Sequence, residues 1–314
     1  MNNKILFTLV EEIALQTSVK AAIASYKWLG KGDSNAADQA AVFAMRDFLA
    51  KQDVIRGKIV IGEGERDEAP MLYIGEVLGS GSHDFDIAVD PLEGTALCAD
   101  NKKNSITAIA IGQSGSILHA PDVYMEKIAG GQMLAGKIDL DKTIEENITA
   151  VARTLEKDVA DVTITILDRP RHKEMIDRAR AFGASVSLIQ DGDVSAVISV
   201  ALGNSDLYIG IGGAPEGVLA AAALKTIDGY MQTRLICDTD EKKQRASKMG
   251  VVDFAKKYTI SDMIKGDVVF AITGVSDGDL CDGVFEIDEN FTTSSLVLNS
   301  FEKSIKNIEL TFNL

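Results

Sequence analysis

The feature that most constrains the fold is a regular alternation of short apolar runs and helical patterns over residues 161–228. Strands are predicted at residues 162–167, 186–189 and 207–211, and helices at residues 173–182, 194–202 and 216–228. Strands that alternate with helices of this length are typical of a sheet that is at least partly parallel. We expect residues 268–273 to add a strand to the same sheet.

The earlier part of the chain has a different pattern, in which helices accompany an antiparallel sheet. Helices are predicted at residues 4–29, 35–50, 70–78 and 141–155, strands at 58–61 and 85–89, and an antiparallel pair at 105–111 and 116–118. The expected fold class is therefore α/β in layers, with a mixed first sheet and a partly parallel second sheet. We expect the chain to divide into residues 1–158 and residues 159–314.

Composition excludes several classes of protein. A net charge of −15 disfavours nucleic acid and anionic membranes as partners. No apolar run approaches the length of a membrane span. The three cysteines include no CxxC pair, which argues against a disulfide framework and favours the cytoplasm.

Two carboxylates follow the apolar run at residues 85–89. Pro91 is expected to end that strand at or just after Asp90, and Gly94 allows a sharp turn, so that Asp90 and Glu93 can face one cavity. Two anionic side chains this close favour a divalent cation between them. An ordinary polar turn, in which Asp90 only caps backbone N–H groups, remains the alternative.

A second acidic stretch repeats this plan at Val60-Ile-Gly-Glu-Gly-Glu-Arg-Asp-Glu68. The three histidines lie far apart in sequence, which makes a zinc site of the His or Cys type a poor hypothesis. Clustered Asp and Glu instead supply the hard oxygen ligands that suit Mg²⁺ or Mn²⁺.

The block Asp90-Pro-Leu-Glu-Gly-Thr95 resembles the metal-binding signature of the lithium-sensitive phosphatase superfamily. Other segments, in order from about Tyr26 to about Gly283, are similar to class II bacterial fructose-1,6-bisphosphatases (the GlpX family). They are Tyr26-Lys-Trp-Leu-Gly-Lys-Gly-Asp33, Ile61-Gly-Glu-Gly-Glu65, Glu68-Ala-Pro-Met-Leu-Tyr-Ile-Gly-Glu76, Ala120-Pro-Asp-Val-Tyr-Met-Glu-Lys127, Arg169-Pro-Arg-His172, Asp191-Gly-Asp193 and Gly212-Gly-Ala-Pro-Glu-Gly217.

The resemblance implies a stacked αβαβα sandwich and hydrolysis of the 1-phosphate of fructose 1,6-bisphosphate in gluconeogenesis. Other members of the family also cleave sedoheptulose 1,7-bisphosphate. A homo-oligomer, dimer or tetramer, is expected. Two alternatives stay open: a phosphatase of inositol or another sugar monophosphate, and a weakly active or non-catalytic protein that binds sugar phosphates.

The resemblance also assigns residues to roles. The metal shell would be Asp38, Glu63, Asp90, Glu93 and Glu216, with the Leu92 carbonyl as a further ligand. Glu65 and Asp67 are the candidates for orienting and deprotonating the attacking water, and Glu93, Gly94 and Thr95 would contact the phosphoryl group. The distal phosphate would be bound by Tyr124, Arg169 and Arg171, and the sugar hydroxyls by Asp191 and Asp193.

Taken by themselves, several of these residues have simpler interpretations. Asp38 and Glu216 could be acids in the first turn of a helix, stabilised by its dipole, and Arg169 and Arg171 could be surface arginines. The stretch at residues 210–217 is also similar to a dinucleotide-binding loop, but Pro215 and Glu216 replace its third glycine region. A carboxylate there would repel a pyrophosphate.

Two positions depart from the family pattern. Ser34 stands where the family usually has a lysine that contributes to activity, and Ala96 stands where a larger polar residue is common. The loop at residues 237–249 and the C-terminal end are also shorter than usual. Since serine supplies no positive charge to a transferring phosphoryl group, we expect a slower enzyme unless Lys31, Lys102 or Lys103 substitutes.

Overall fold

The computed structural model describes residues 2–64 and 70–313. These residues form two units, the first containing residues up to His119 together with residues from Ile264, and the second Ala120–Met263. The division expected from the sequence, 1–158 and 159–314, does not coincide with these units. The chain enters the second unit before residue 158 and returns to the first for its last strands.

The helices and strands are as follows. The helices are α1 Asn3–Tyr26, α2 Ser34–Ala50, α3 Thr95–Ala99, α4 Ile144–Leu155, α5 Lys173–Phe182, α6 Asp193–Ala201, α7 Ala214–Thr226, α8 Asp240–Lys248 and α9 Ile260–Met263, with 3₁₀ turns at Gln132–Leu134, Val159–Asp161 and Pro170–His172. The strands are β1 Ile55–Ile61, β2 Val77–Leu78, β3 His83–Glu93, β4 Ile106–Gln113, β5 Tyr124–Gly130, β6 Thr163–Leu167, β7 Ser185–Ile189, β8 Leu207–Gly213, β9 Tyr230–Leu235, β10 Tyr258–Thr259, β11 Val268–Gly274, β12 Phe285–Ile287, β13 Asn290–Asn299 and β14 Ser304–Asn313.

The first unit is built on a mixed sheet. Its strand order is β12-β13-β11-β4-β3-β1-β2, with β14 paired to β13. β1 and β3 are parallel, and the other neighbours are antiparallel. α1 packs on β4, β11 and β13, and α2 packs on α1 and β3. The predicted helical spacing in α1 is confirmed, because Val10, Ile13 and Ala21 are all buried in the core against this sheet.

The second unit contains the alternating pattern. Its sheet has the order β10-β9-β5-β8-β6-β7, in which β6 is parallel to both β7 and β8 and the other pairs are antiparallel. A hydrophobic core forms between this sheet and α4 and α5, around Ile148, Ile164 and Ile176. The predicted strands and helices of residues 162–228 are confirmed, as are the mixed α/β class and the partly parallel second sheet.

Two strand predictions and one helix prediction are wrong. The strand near residue 268, expected in the second sheet, is β11 of the first sheet, where it lies between β4 and β13. β4 pairs with β3 and β11 rather than with residues 116–118, of which Ile117 forms only a bridge to Ile264. In both cases the true partners lie outside the short window in which apolar spacing is read, so local spacing gave no signal for them.

The helix predicted at residues 70–78 is absent from the described part of that segment, which forms turns that lead into β2. Leu72 has φ 52° and Gly75 has φ 93°, both incompatible with an α-helix. Glu76 accounts for the conformation, because its carboxylate accepts the backbone N–H of Leu72 at 2.7 Å. Within residues 2–64 and 70–313, no helix is long and apolar enough to cross a membrane.

Candidate active site

The end of β3 carries the two carboxylates singled out in the sequence. β3 does not stop at Asp90 as expected but continues to Glu93, with a shift in its pairing to β4 between these two residues. The shift is a bulge, and an unpaired bulge position tolerates Pro91, which has no N–H to donate. Glu93 is buried, and Asp90 is partly exposed.

The turn after β3 positions the next two predicted residues. Gly94 has φ +75°, the left-handed conformation that favours glycine. A side chain at position 94 would also lie 2.9 Å from the Leu97 Cδ1 atom. This turn makes Thr95 the first residue of α3. Thr95 lies three residues after Leu92, whose carbonyl is the further predicted metal ligand.

A second group of carboxylates lies where α2 and the end of β1 come together. Burial raises the pKa of Asp38, and burial together with the charge of Asp38 raises the pKa of Glu63 to about 7. The first turn of α2 contains no acid, so a first-turn interaction with the helix dipole does not explain Asp38. Two desolvated carboxylates, one of which disfavours the ionisation of the other, are suited to holding a cation.

The loop that carries Glu63 is held by a partly buried ion pair that the sequence did not reveal. The Glu63 N–H donates to the Leu72 carbonyl at 3.1 Å, and the Ile74 N–H donates to the Gly64 carbonyl at 2.9 Å. The segment that makes these bonds is fixed by Glu76, which is 6% exposed and accepts from Arg46 Nε of α2 at 2.9 Å. Arg46 and Glu76 therefore set the position of Glu63 relative to α2.

The remaining candidates of this stretch, Glu65 and Asp67, lie outside the described residues. Among residues 2–64 and 70–313, no group of three or more His, Cys, Asp or Glu side chains has the arrangement of a metal site. The shell of Asp38, Glu63, Asp90, Glu93 and Glu216 thus stays a prediction. Its chemistry fits a hard divalent cation, since every proposed side-chain donor is a carboxylate oxygen.

In the second unit, the predicted phosphate-binding residues lie on the turn after β6 and on its neighbours. Arg171 donates from Nε and Nη2 to the Ile211 carbonyl at 3.0 and 2.6 Å, and its guanidinium lies 4.9 Å from the centre of the Tyr124 ring. Arg169 pairs with Asp191 at 3.6 Å. The structure therefore brings Tyr124 to Arg171 and Asp191 to Arg169.

His172 anchors this arginine turn, although the sequence gave it no role. Its Nδ1 lies 2.8 Å from the Leu167 carbonyl, which can only accept, and its Nε2 accepts from the Ile211 N–H at 2.8 Å. The ring is therefore neutral and protonated on Nδ1. Burial, with the charges of Arg171 and Arg169, lowers its pKa.

Three charged side chains meet at the start of α6 and α7. Lys127 of β5 is buried and pairs with Asp193, one of the predicted sugar-binding residues. Glu216 lies in the first turn of α7, and its buried Oε2 has no hydrogen-bond partner among the described residues. Burial and the charge of Asp193 raise the pKa of Glu216, whereas the charge of Lys127 lowers it. Such an oxygen is available to a cation.

Comparisons with known proteins agree with the resemblance seen in the sequence. Residues 8–312 match the family described as bacterial fructose-1,6-bisphosphatase, glpX-encoded. The chain is 39% identical to the D-fructose 1,6-bisphosphatase class 2/sedoheptulose 1,7-bisphosphatase of Synechococcus sp. (strain JA-3-3Ab), over 98% of this chain and 95% of that protein. It is 42% identical to fructose-1,6-bisphosphatase 1 class 2 of Escherichia coli (strain K12), over 95% and 94%.

Among solved structures, the chain is similar to inositol monophosphatase from Anabaena (Nostoc) sp. PCC 7120. The TM-score is 0.38 and the identity 15%, over 69% of this chain and 81% of that chain.

Proposed function

The chain belongs to the glpX-encoded family of bacterial fructose-1,6-bisphosphatases, and on that premise we propose that it hydrolyses the 1-phosphate of fructose 1,6-bisphosphate to fructose 6-phosphate and phosphate. The observation that carries the proposal is the match over residues 8–312. We include sedoheptulose 1,7-bisphosphate as a second substrate, because the similar Synechococcus protein is named for both activities.

Membership of this family implies a divalent metal ion in the reaction. We propose Mn²⁺ or Mg²⁺, held by Asp38, Glu63, Asp90, Glu93, Glu216 and the Leu92 carbonyl. The raised pKa of Glu63, about 7, and the unpartnered oxygen of Glu216 support this assignment. When bound, such ions activate a water and neutralise the developing charge of phosphoryl transfer.

The chain's own groups would act on the water and the phosphoryl group. We assign Glu65 and Asp67 jointly to orienting the water and accepting its proton. Glu93, Gly94 and Thr95 would contact the phosphoryl group, and the fixed turn at Gly94 supports this by holding Thr95 at the start of α3.

The distal phosphate and the sugar would bind in the second unit. Arg169, Arg171 and Tyr124 are assigned to the phosphate, because an arginine fork matches its oxygens and Tyr124 is 50% exposed beside Arg171. Asp191 and Asp193 are assigned to the sugar hydroxyls. An inositol or sugar monophosphate phosphatase would have no use for this second phosphate site.

The experiment is phosphate release from a panel of substrates with Mn²⁺ or Mg²⁺. We expect turnover of fructose 1,6-bisphosphate, and of sedoheptulose 1,7-bisphosphate, at a kcat/KM far above that of fructose 6-phosphate or inositol 1-phosphate. Preference for a monophosphate would contradict the proposal. No release from any member of the panel, with binding retained, would identify a non-catalytic protein.

We further propose that the enzyme works in the cytoplasm as a homo-oligomer, a dimer or a tetramer. Exposed Phe285 and Ile287 at the edge of the first sheet support association. Sedimentation of the purified protein checks the assembly, and a monomer at all concentrations would exclude it.

A further inference from the structure

Lys127 is buried where a lysine is rarely found. It lies in the middle of β5, the strand between β9 and β8, and only 1% of its side chain is exposed. A lysine ammonium is almost never fully buried unless it is paired, because the loss of hydration must be offset by a partner. The groups that surround the Lys127 ammonium therefore indicate which residue it holds in place.

The partner of Lys127 is Asp193, the first residue of α6. The Lys127 ammonium lies 2.5 Å from Asp193 Oδ2, and the Tyr208 hydroxyl of β8 donates to the same oxygen at 3.5 Å. Donors from two neighbouring strands therefore fix this carboxylate oxygen. The carboxylate itself is nearly as buried as the ammonium, since 8% of the Asp193 side chain is exposed.

Glycines make the space in which this pair meets. A Cβ atom at position 212 would lie 2.1 Å from Asp193 Oδ2 and 3.1 Å from Lys127 Nζ. A Cβ atom at position 217 would lie 3.3 Å from Lys127 Cε and 2.6 Å from Met125 Sδ. Any larger residue at position 212 would displace the Asp193 carboxylate. The ion pair between Lys127 and Asp193 therefore requires glycine at this position.

We propose that Lys127 is a positioning residue for the sugar site: it fixes Oδ2 of Asp193 so that Oδ1 meets a hydroxyl of the substrate. The inference rests on the proposed function, in which Asp193 binds the sugar. We assign Lys127 a positioning role rather than a contact with substrate, because only 1% of its side chain is exposed. It acts on the sugar through Asp193.

The first test compares two substrates in Lys127→Met, which keeps the apolar stem and removes the charge. We expect kcat/KM for fructose 1,6-bisphosphate to fall at least about tenfold, mainly through KM, as when a supporting partner of a ligand is removed. The rate with p-nitrophenyl phosphate, which has no sugar hydroxyls, should fall by a smaller factor, which measures the effect of removing the Lys127 charge beside Glu216. Lys157→Met is the matched control, because its ammonium pairs with Asp206 at 2.6 Å but is 39% exposed.

The second test uses Asp193→Asn and the double variant Lys127→Met/Asp193→Asn, which leaves no unpaired charge and so guards against misfolding of the single lysine variant. If Lys127 acts through Asp193, the double variant loses no more than Asp193→Asn alone. Calorimetric binding of fructose 6-phosphate without metal should weaken to the same extent in both.

Equal losses on both substrates in Lys127→Met, or additive losses in the double variant, would overturn the positioning role. So would a Lys127→Met enzyme that matches Lys157→Met. Failure of the proposed function is a separate result, in which wild type releases no phosphate from fructose 1,6-bisphosphate. The binding of fructose 6-phosphate still tests the lysine in that case.

Discussion

Asp90 lies at the bulge where the pairing of β3 with β4 shifts its register, and its carboxylate is a proposed ligand of the metal ion. Asp90→Asn keeps the size of the side chain and removes the charge, so we expect the metal-dependent rate to fall by at least about 100-fold while the thermal unfolding midpoint changes little. Phosphate release at saturating Mn²⁺ checks this. Asp47→Asn, at a surface pair with Lys51, is the control and should match wild type; a fully active Asp90→Asn enzyme would remove Asp90 from the shell.

Arg171 carries the prediction for the distal phosphate. Replacing it by alanine should weaken bisphosphate use by about 1.5–3 kcal/mol, the usual contribution of a hydrogen bond to a charged group. Hydrolysis of p-nitrophenyl phosphate, which has no distal phosphate, should hardly change. Because Arg171 also donates to the Ile211 carbonyl, loss of both activities would instead indicate a role in folding. Arg178→Ala, which breaks an exposed pair with Glu145, is the comparison.

Ser34 is the first residue of α2, directly after the N-cap Asp33, whose side chain accepts from the Ala36 N–H at 2.9 Å. Two of the lysines that could replace the missing charge have local contacts: Lys31 lies 5.7 Å from the Trp28 ring centre, and Lys102 is 3.0 Å from Asp100. If the charge is lacking, Ser34→Lys should raise kcat by about tenfold or more, about 1.4 kcal/mol of barrier. Steady-state kinetics of wild type, Ser34→Lys and the control Ser34→Ala tests this. If Ser34→Lys gives no gain in kcat and wild type already works at a rate typical of the family, the expected loss of rate from Ser34 is contradicted.

At the scale of elements, the turn between β6 and α5 is positioned by His172, which bonds to Leu167 of β6 and to Ile211 of β8. The bond from the Ile211 N–H needs the neutral ring, since a protonated Nε2 could no longer accept it. Thus the arginine turn depends on a side chain that contacts no phosphate. A pattern search that looks for charged residues misses such a group.

The pKa of His172 leads to a prediction on pH. Because its pKa is lowered in the folded protein from the ordinary value of 6.5, the unfolded chain takes up a proton first as the pH falls. The stabilisation by neutral His172 is therefore complete above pH 6.5 and decreases below it. The stability advantage of wild type over His172→Gln in urea unfolding should thus shrink from pH 7.5 to pH 5.5. An unchanged difference between wild type and His172→Gln across this pH range would rule out the neutral ring.

The elements also show where sequence patterns fail. Residues 162–228 were predicted well, because each strand there is followed by a helix whose apolar spacing is local. The bulge at Pro91, the turns around Leu72 and the placement of β11 depend on contacts with β4, Glu76 and β13. β4 and β13 lie outside the short window in which periodicity is read, and the hydrogen bond from the Leu72 N–H to Glu76 competes with a helix. Periodicity alone therefore could not find these features.

At the scale of the whole molecule, the chain carries −15 net charge and is expected to act on an anionic phosphate ester. Since the substrate is repelled at long range, cations must reverse the field locally. We expect excess chelator to abolish phosphate release and added Mn²⁺ or Mg²⁺ to restore it, measured as phosphate released before and after dialysis. Full activity in excess chelator would end the metal hypothesis.

The sequence by itself determined the family and the alternation of the second sheet, and it predicted the candidate site, namely the acids at residues 38, 63, 90 and 93 and the arginine turn. These are properties of residue types at short spacings. Only the tertiary structure decided which side chains hold them in place, namely Glu76 for Glu63, His172 for the arginine turn and Lys127 for Asp193. Each of these supports is a buried polar group, and burial with a partner on another element arises only when the chain folds.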